Sequence, residues 1–182
     1  MLLIESDAIE FTVATAEGVY ENAEAAGRRA ANKLDGALDD APYSAVFALV
    51  AGITMEEHGQ DFEVLRGVLH AFGNDIPVIG GSAGDDLEMN GTYQFHNGAV
   101  IADGVVLTAI ASELPIRTGE AHGMDETIAS GAINKTDGRI IKTVSGRPAA
   151  AFYADALGIS VQELRRHFDA QYRKQLRLGL RY

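Results

Sequence analysis

The run YSAVFALVA, residues 43–51, constrains the fold more than any other stretch of the chain. It follows Pro42, is almost uninterrupted in apolar residues, and is far shorter than the ~20 residues of a membrane span. Its length and its valine and phenylalanine content read as a strand buried on both faces, as in a parallel sheet.

The flanking segments alternate between strand and helix. IEFTVATA, residues 9–16, reads as a first strand. Over residues 20–38, Ala23, Ala26, Ala30 and Leu34 recur at three- and four-residue spacing, which predicts a helix with a small, close-packing face. Phe62, Leu65, Leu69 and Phe72 repeat the helical spacing before Gly73-Asn74, a stop signal. IPVIGG follows as another short strand. Strand, helix, strand, helix, strand is a doubly repeated β-α-β pattern, which favours parallel pairing with right-handed crossovers.

After Asn90-Gly91 the texture changes. Turn signals at Asn97-Gly98 and Asp103-Gly104 separate β-prone runs, and IRTGEAHGM, TIASGAINKTDG and RIIKTVSG continue with short strands and glycine breaks. Pro148 opens a short helix over 149–157 that Gly158 stops. Ser160 and Glu163 form a capping box for a last helix, with Val161, Leu164, Phe168, Tyr172 and Leu176 on one stripe. The expected fold class is α/β with a mixed sheet: an N-terminal β-α-β-α-β unit, an antiparallel meander, then C-terminal helices. The expected division is a domain over 1–158 and a basic amphipathic helix over 159–182.

Charge narrows the partners. Residues 165–182 hold Arg165, Arg166, Arg173, Lys174, Arg177 and Arg181 against Asp169, a net +5. The chain as a whole carries −11, so the first 164 residues carry −16, which repels nucleic acid. The basic helix can dock on an acidic body, in cis or in a homo-oligomer, a contact that salt would weaken. No stretch approaches a membrane span and the start MLLIESDAIEF lacks a signal peptide's positive region, so a cytoplasmic setting with no membrane partner is expected. Cysteine is absent, which excludes disulfides, thiolate metal sites and a cysteine nucleophile.

The chemistry centres on PVIGGSAGDD. Gly80-Gly81-Ser82-Ala83-Gly84 matches the G-x-S-x-G nucleophile elbow, so a serine hydrolase using Ser82 is one reading. An elbow, however, leads into a helix, and the sequence after Ser82 reaches an Asn-Gly turn and then strand. His96, His122 and His167 lie downstream with no triad spacing. A glycine turn at the carboxyl end of a parallel strand suits ligand capture better. Gly80, Gly81, Ser82, Ala83 and Gly84 would offer backbone N–H groups and one hydroxyl, with His96 and Asn97 at the rim. The bland reading is a tight connection that needs positive φ only. Asp85, Asp86 and Glu88 lack the oxygen spacing of a calcium loop and read as a solvated acidic loop. No metal site or cofactor is expected.

AEAAGRRAANKL, SAVFALVA, VIGGSAGDD, FHNGAVIADGVVLTAI and SGRPAAAFYADALG occur in an order that resembles the FIST sensory domain, named for F-box and intracellular signal transduction proteins. The likeness runs from about Ala14 to Gly158. It implies a non-enzymatic module that binds a small ligand, with amino acids or related metabolites as candidates, and that feeds a signalling output protein or domain. Some relatives bind haem and sense nitric oxide. A haem sensor or a protein-interaction module is therefore the alternative, although no cysteine is available as an axial ligand. The family normally has a larger carboxyl-terminal half after its G-x-P-A motif, and this chain reaches the beginning of that half.

Overall fold

The structure, a computed structural model, describes residues 5–39, 41–86, 88–119, 129–137 and 140–167. The chain divides into two compact units, Met1–Glu120 and Ala121–Tyr182. The first contains, in order, β1 (Ile9–Glu17), α1 (Val19–Asn32), β2 (Tyr43–Val50), α2 (Asp61–Phe72), β3 (Val78–Ser82), β4 (Gln94–His96), β5 (Ala99–Ile101) and β6 (Gly104–Ser112).

Four of these strands form a mixed sheet in the order β1-β6-β2-β3. β2 and β3 pair in parallel, as the β-α-β pattern predicts. β1 and β2 point the same way but do not touch, because β6 lies between them and is antiparallel to both. The reason is burial: GVVLTAIAS is the most buried strand sequence among the described residues, so it takes a central position while β1 and β3 form the edges.

Both helices cover one face of this sheet. Ala16, Val50, Val105 and Leu107 meet Ala23, Ala26 and Ala30 of α1 and Val64 and Val68 of α2. The small face expected on α1 is real, and it allows backbone contact. A Cβ on Gly27 would lie 2.3 Å from the Val64 carbonyl oxygen, and one on Gly67 would lie 2.0 Å from the Glu24 carbonyl oxygen. α1 ends earlier than expected. After Asn32 the Lys33 and Leu34 amides bond to the carbonyls three residues back, at 3.2 and 2.9 Å, which tightens the chain out of the α-helix. At Asn22 the backbone leaves helical geometry (φ −156°, ψ 87°), and its Oδ1 accepts from the Ala25 N–H at 3.0 Å, so the helix restarts on an asparagine cap.

One expectation about β2 is corrected. Its even positions Val46 and Val50 are buried, but Phe47 and Leu49 on the other face are 38% and 40% exposed. The helices cover only one side of a strand whose composition suits cover on both.

The second unit contains β7 (Ile133–Asp137), β8 (Ile140–Val144) and β9 (Arg147–Pro148) in an antiparallel sheet, followed by α3 (Ala149–Leu157) and α4 (Val161–His167). Ser145 and Gly146, both at positive φ, turn β8 into β9. Gly158 ends α3 in the left-handed conformation, as expected. Ser160 Oγ accepts from the Glu163 N–H at 3.1 Å, one arm of the expected capping box. The stripe positions Phe168, Tyr172 and Leu176 lie outside the described residues, as do the basic residues after Arg166. Among the described residues no helix is long and apolar enough to cross a membrane.

Candidate functional site

Strands β1, β2 and β3 all end at the same edge of the first unit's sheet, the edge at which open α/β sheets collect ligands. Side chains and backbone tie these ends together. Asp103, just before β6, accepts the Tyr20 N–H on Oδ1 at 2.8 Å and the Gly18 N–H on its carbonyl at 2.8 Å, so a residue distant in sequence caps α1. The Tyr20 hydroxyl donates to the Gly52 carbonyl at 2.8 Å, and the Gly52 N–H donates to Thr92 Oγ1 at 2.8 Å. The Ala83 N–H reaches the Val50 carbonyl at 2.9 Å and prolongs the β2–β3 ladder by one step.

The glycine segment is placed at this edge, but in a different conformation from the expected turn. Gly80, Gly81 and Ser82 are the last residues of β3, and the chain leaves the sheet only at Ala83 and Gly84. Gly80 has φ +151°, and a Cβ there would lie 1.8 Å from the Ala48 carbonyl oxygen, so the position requires glycine for packing against β2. Because Val46 N bonds to Pro77 O and Ala83 N to Val50 O, alternation turns the Gly80 and Ser82 amides toward the open edge. Ser82 is exposed. The chain after it runs through loop to β4, so the strand-to-helix elbow of a hydrolase nucleophile is not formed there.

His96 and Asn97 sit at the tip of the β4–β5 hairpin. Asn97 (φ 47°) and Gly98 (φ 78°) make the expected two-residue turn. The Asn97 side-chain amide nitrogen lies 3.1 Å from His96 Nε2, which must accept that bond. No hydrogen bond joins either residue to Ser82 among the described residues, and His122 lies outside them.

A residue that sequence reasoning missed is Gln94. From Thr92 into β4 the polar residues are buried and the apolar ones exposed: Thr92 and Gln94 are 2% and 3% exposed, Tyr93 and Phe95 54% and 70%. The Thr92 hydroxyl is engaged by Gly52, yet among the described residues neither Nε2 nor Oε1 of Gln94 has a hydrogen-bond partner. Opposite Gln94 in the hairpin stands buried Ile101, whose Cγ2 would be 2.4 Å from a Cβ on Gly104 beside the end of β1. An unpaired primary amide is thus sealed at the sheet's carboxyl edge.

The loop before β4 is held by Asp85. Its Oδ2 accepts the Asn90 and Gly91 N–H groups at 2.7 and 3.2 Å. Partial desolvation pushes this carboxyl up, but the backbone donors of Gly91, Met89 and Asn90 outweigh it and hold it below the ordinary 3.8. The carboxylate form therefore favours the folded loop. Its contribution is complete above about 3.8 and is lost as pH falls through the lower folded value. In an NMR acid titration the Asn90 and Gly91 amide protons should move with a midpoint below 3.8. A midpoint at or above that value would contradict the assignment.

Two open clefts indent the helix layer. One, of about 270 Å³, lies among Tyr20, Asn22, Glu24, Gln60, Glu63 and Arg66, and the other, of about 220 Å³, lies by Leu34, Leu38 and Phe72. Neither is lined by the glycine segment, Gln94, His96 or Asn97. Among the described residues no group of three or more histidine or acidic side chains is placed to hold a metal ion.

The model of the FIST N domain matches residues 1–147 of this chain. The chain is also similar to an uncharacterized protein of Methanocaldococcus jannaschii, 25% identical over 160 residues, a span that covers 86% of this chain and 31% of that relative. The chain thus spans about a third of the relative's length. The match covers every element from β1 to β8, including the carboxyl ends of β1, β2 and β3: the chain belongs to the FIST N domain family of signal-transduction sensory domains.

Proposed function

We propose that residues 1–158 act as a cytoplasmic, non-enzymatic sensory module whose ligand, an amino acid or related metabolite, is recognised at the carboxyl edge of the sheet, and that its output is a separate signalling protein or domain. The observation that carries this reading is the Gln94 amide, buried with a donor and an acceptor both unpaired among the described residues. Burying such a group costs about 1–3 kcal/mol, so a stable protein gains by giving it a partner. A molecule with an N–H donor beside an oxygen acceptor, such as the ammonium and carboxylate of an amino acid, supplies both bonds at once. Gly80, Gly81, Ser82, Ala83 and Gly84 form one side of the proposed pocket and His96 and Asn97 its outer rim. Gly52 supports that geometry, since a Cβ on it would meet both Ala83 (1.9 Å) and Thr92 (3.1 Å).

Because the amide is sealed, the ligand reaches it only when the β4–β5 hairpin shifts. That movement couples binding to a change of surface, which a sensor needs. The hairpin's outer residues Phe95 and Val100, 70% and 62% exposed, would carry the change to a partner.

The test is a thermal-shift screen with amino acids and small carboxylates, since any ligand of the folded state raises Tm by mass action. A binder should raise the Tm of the wild type, and Ser82→Ala should weaken it by about 1–2 kcal/mol, near tenfold in Kd. Unchanged affinity in Ser82→Ala would remove Ser82 from the pocket. No shift with any compound would count against the sensory reading for these ligands.

A further inference from the structure

The sheet face opposite α1 and α2 is mostly apolar, and the four strands contribute one charge to it, at a corner. The strand register puts Phe11, Val13, Tyr43, Phe47, Leu49 and Ile79 on it, each between 36% and 40% exposed. Ala45, Val106, Thr108 and Ile110 fill the space between them, and Glu17 at the end of β1 is the one charged residue in register with this face. We infer that this face is an interface on which a second copy of the chain seats, sheet against sheet.

Three observations favour a copy over another occupant. The first is composition. The run from Tyr43 to Val50 is apolar on both faces, yet only its even-numbered face is covered by the helices. The second is size. Four strands about 4.8 Å apart and some seven residues long span on the order of 20 Å by 20 Å. That is about 400 Å² on each copy, below the ~800 Å² of a standard interface and suited to a weak, reversible dimer. The third is charge. Two chains of net −11 repel wherever acidic surfaces meet, and an almost uncharged sheet face is where they approach at least cost. A basic partner would be drawn to the acidic surfaces instead. An apolar sheet face can stack on its own copy under a twofold axis, at the angle of about 30° that sheet twist sets.

Salt separates this dimer from one built by the basic C-terminal residues docking on the acidic body. Screening relieves repulsion between like chains, so a sheet-face dimer tightens with salt, whereas attraction between basic tail and acidic body loosens. Analytical ultracentrifugation of the full chain at low and high salt should show a dimer that strengthens with salt. Phe47→Glu should weaken self-association at least tenfold. Phe62→Glu, at an exposed position on the helix layer, should leave it unchanged. Because the chain has no cysteine, cross-linking gives a second readout that does not depend on how Phe47→Glu folds. Phe47→Cys should form a covalent dimer on oxidation and Phe62→Cys should not. A wild type that stays monomeric at every salt, a dimer that loosens with salt, or equal cross-linking of the two cysteine variants would each overturn the inference.

Discussion

Gly67→Ala is expected to destabilise the protein by about 2 kcal/mol, although alanine is the better helix former by about 1 kcal/mol. The two effects oppose each other, and distance decides between them. The new Cβ would lie 2.0 Å from the Glu24 carbonyl oxygen and 2.8 Å from the Arg28 nitrogen, both backbone atoms that no rotamer change can move aside. Relief requires α2 to move off α1. That movement loosens Val64 and Val68, which are essentially fully buried against α1 and the sheet. Overpacking of this kind costs about 1–3 kcal/mol and more when the backbone must shift, so its upper end outweighs the propensity gain. For a chain of this size the Tm should fall by roughly 4–8 °C. Gly27→Ala, whose Cβ would meet the Val64 carbonyl oxygen at 2.3 Å, should behave alike. The double variant should lose less than the sum, because helices already parted by one methyl admit the second more easily. A more stable Gly67→Ala protein would mean that the helices do not touch through their backbones.

Much of this architecture was legible because it is local. The three- and four-residue spacing of small residues marked α1, Gly73 and Gly158 marked helix ends, and Asn97-Gly98 marked its hairpin. Each signal acts within a few residues of its effect. Strand order was less accessible. β6 pairs with β1 nearly a hundred residues earlier in the chain, and no turn or cap records that partner. The reciprocal contact of Gly27 and Gly67 is hidden in the same way, since glycine inside a helix reads locally as a weakness. At the candidate site the local rule misleads. Gly80-Gly81-Ser82 looks like a turn because glycine is usually conformational, yet here glycine permits β3 to lie close on β2. In TYQFH, alternation predicts Tyr93 and Phe95 inward, but Thr92 and Gln94 are the buried pair. The signal was present as a strict two-residue alternation, and only its sense was reversed.

That reversal makes Gln94→Leu the sharpest test of the site. Leucine is close to glutamine in size and has no polar atom to leave unpaired, so the variant should be more stable than the wild type by about 1–3 kcal/mol. At about 2–4 °C per kcal/mol for a chain of this length, the Tm should rise by several degrees. A glutamine satisfied within the fold would give the opposite sign, because its removal would strand the group it bonds. The gain in stability should come with a loss of response. If the amide exists to pair a ligand's donor and acceptor, an amino acid that raises the Tm of the wild type should leave Gln94→Leu unmoved. Gln94→Glu should fail differently, by burying a charge in place of a neutral amide and lowering stability. A Gln94→Leu protein that is stabilised and still responds to the same compound would leave Gln94 an unsatisfied core residue and place recognition elsewhere along the edge. One that is destabilised would show that the amide has a structural partner. Stability and function then pull in opposite directions at one side chain, as expected where a fold keeps a costly buried group for a task other than folding.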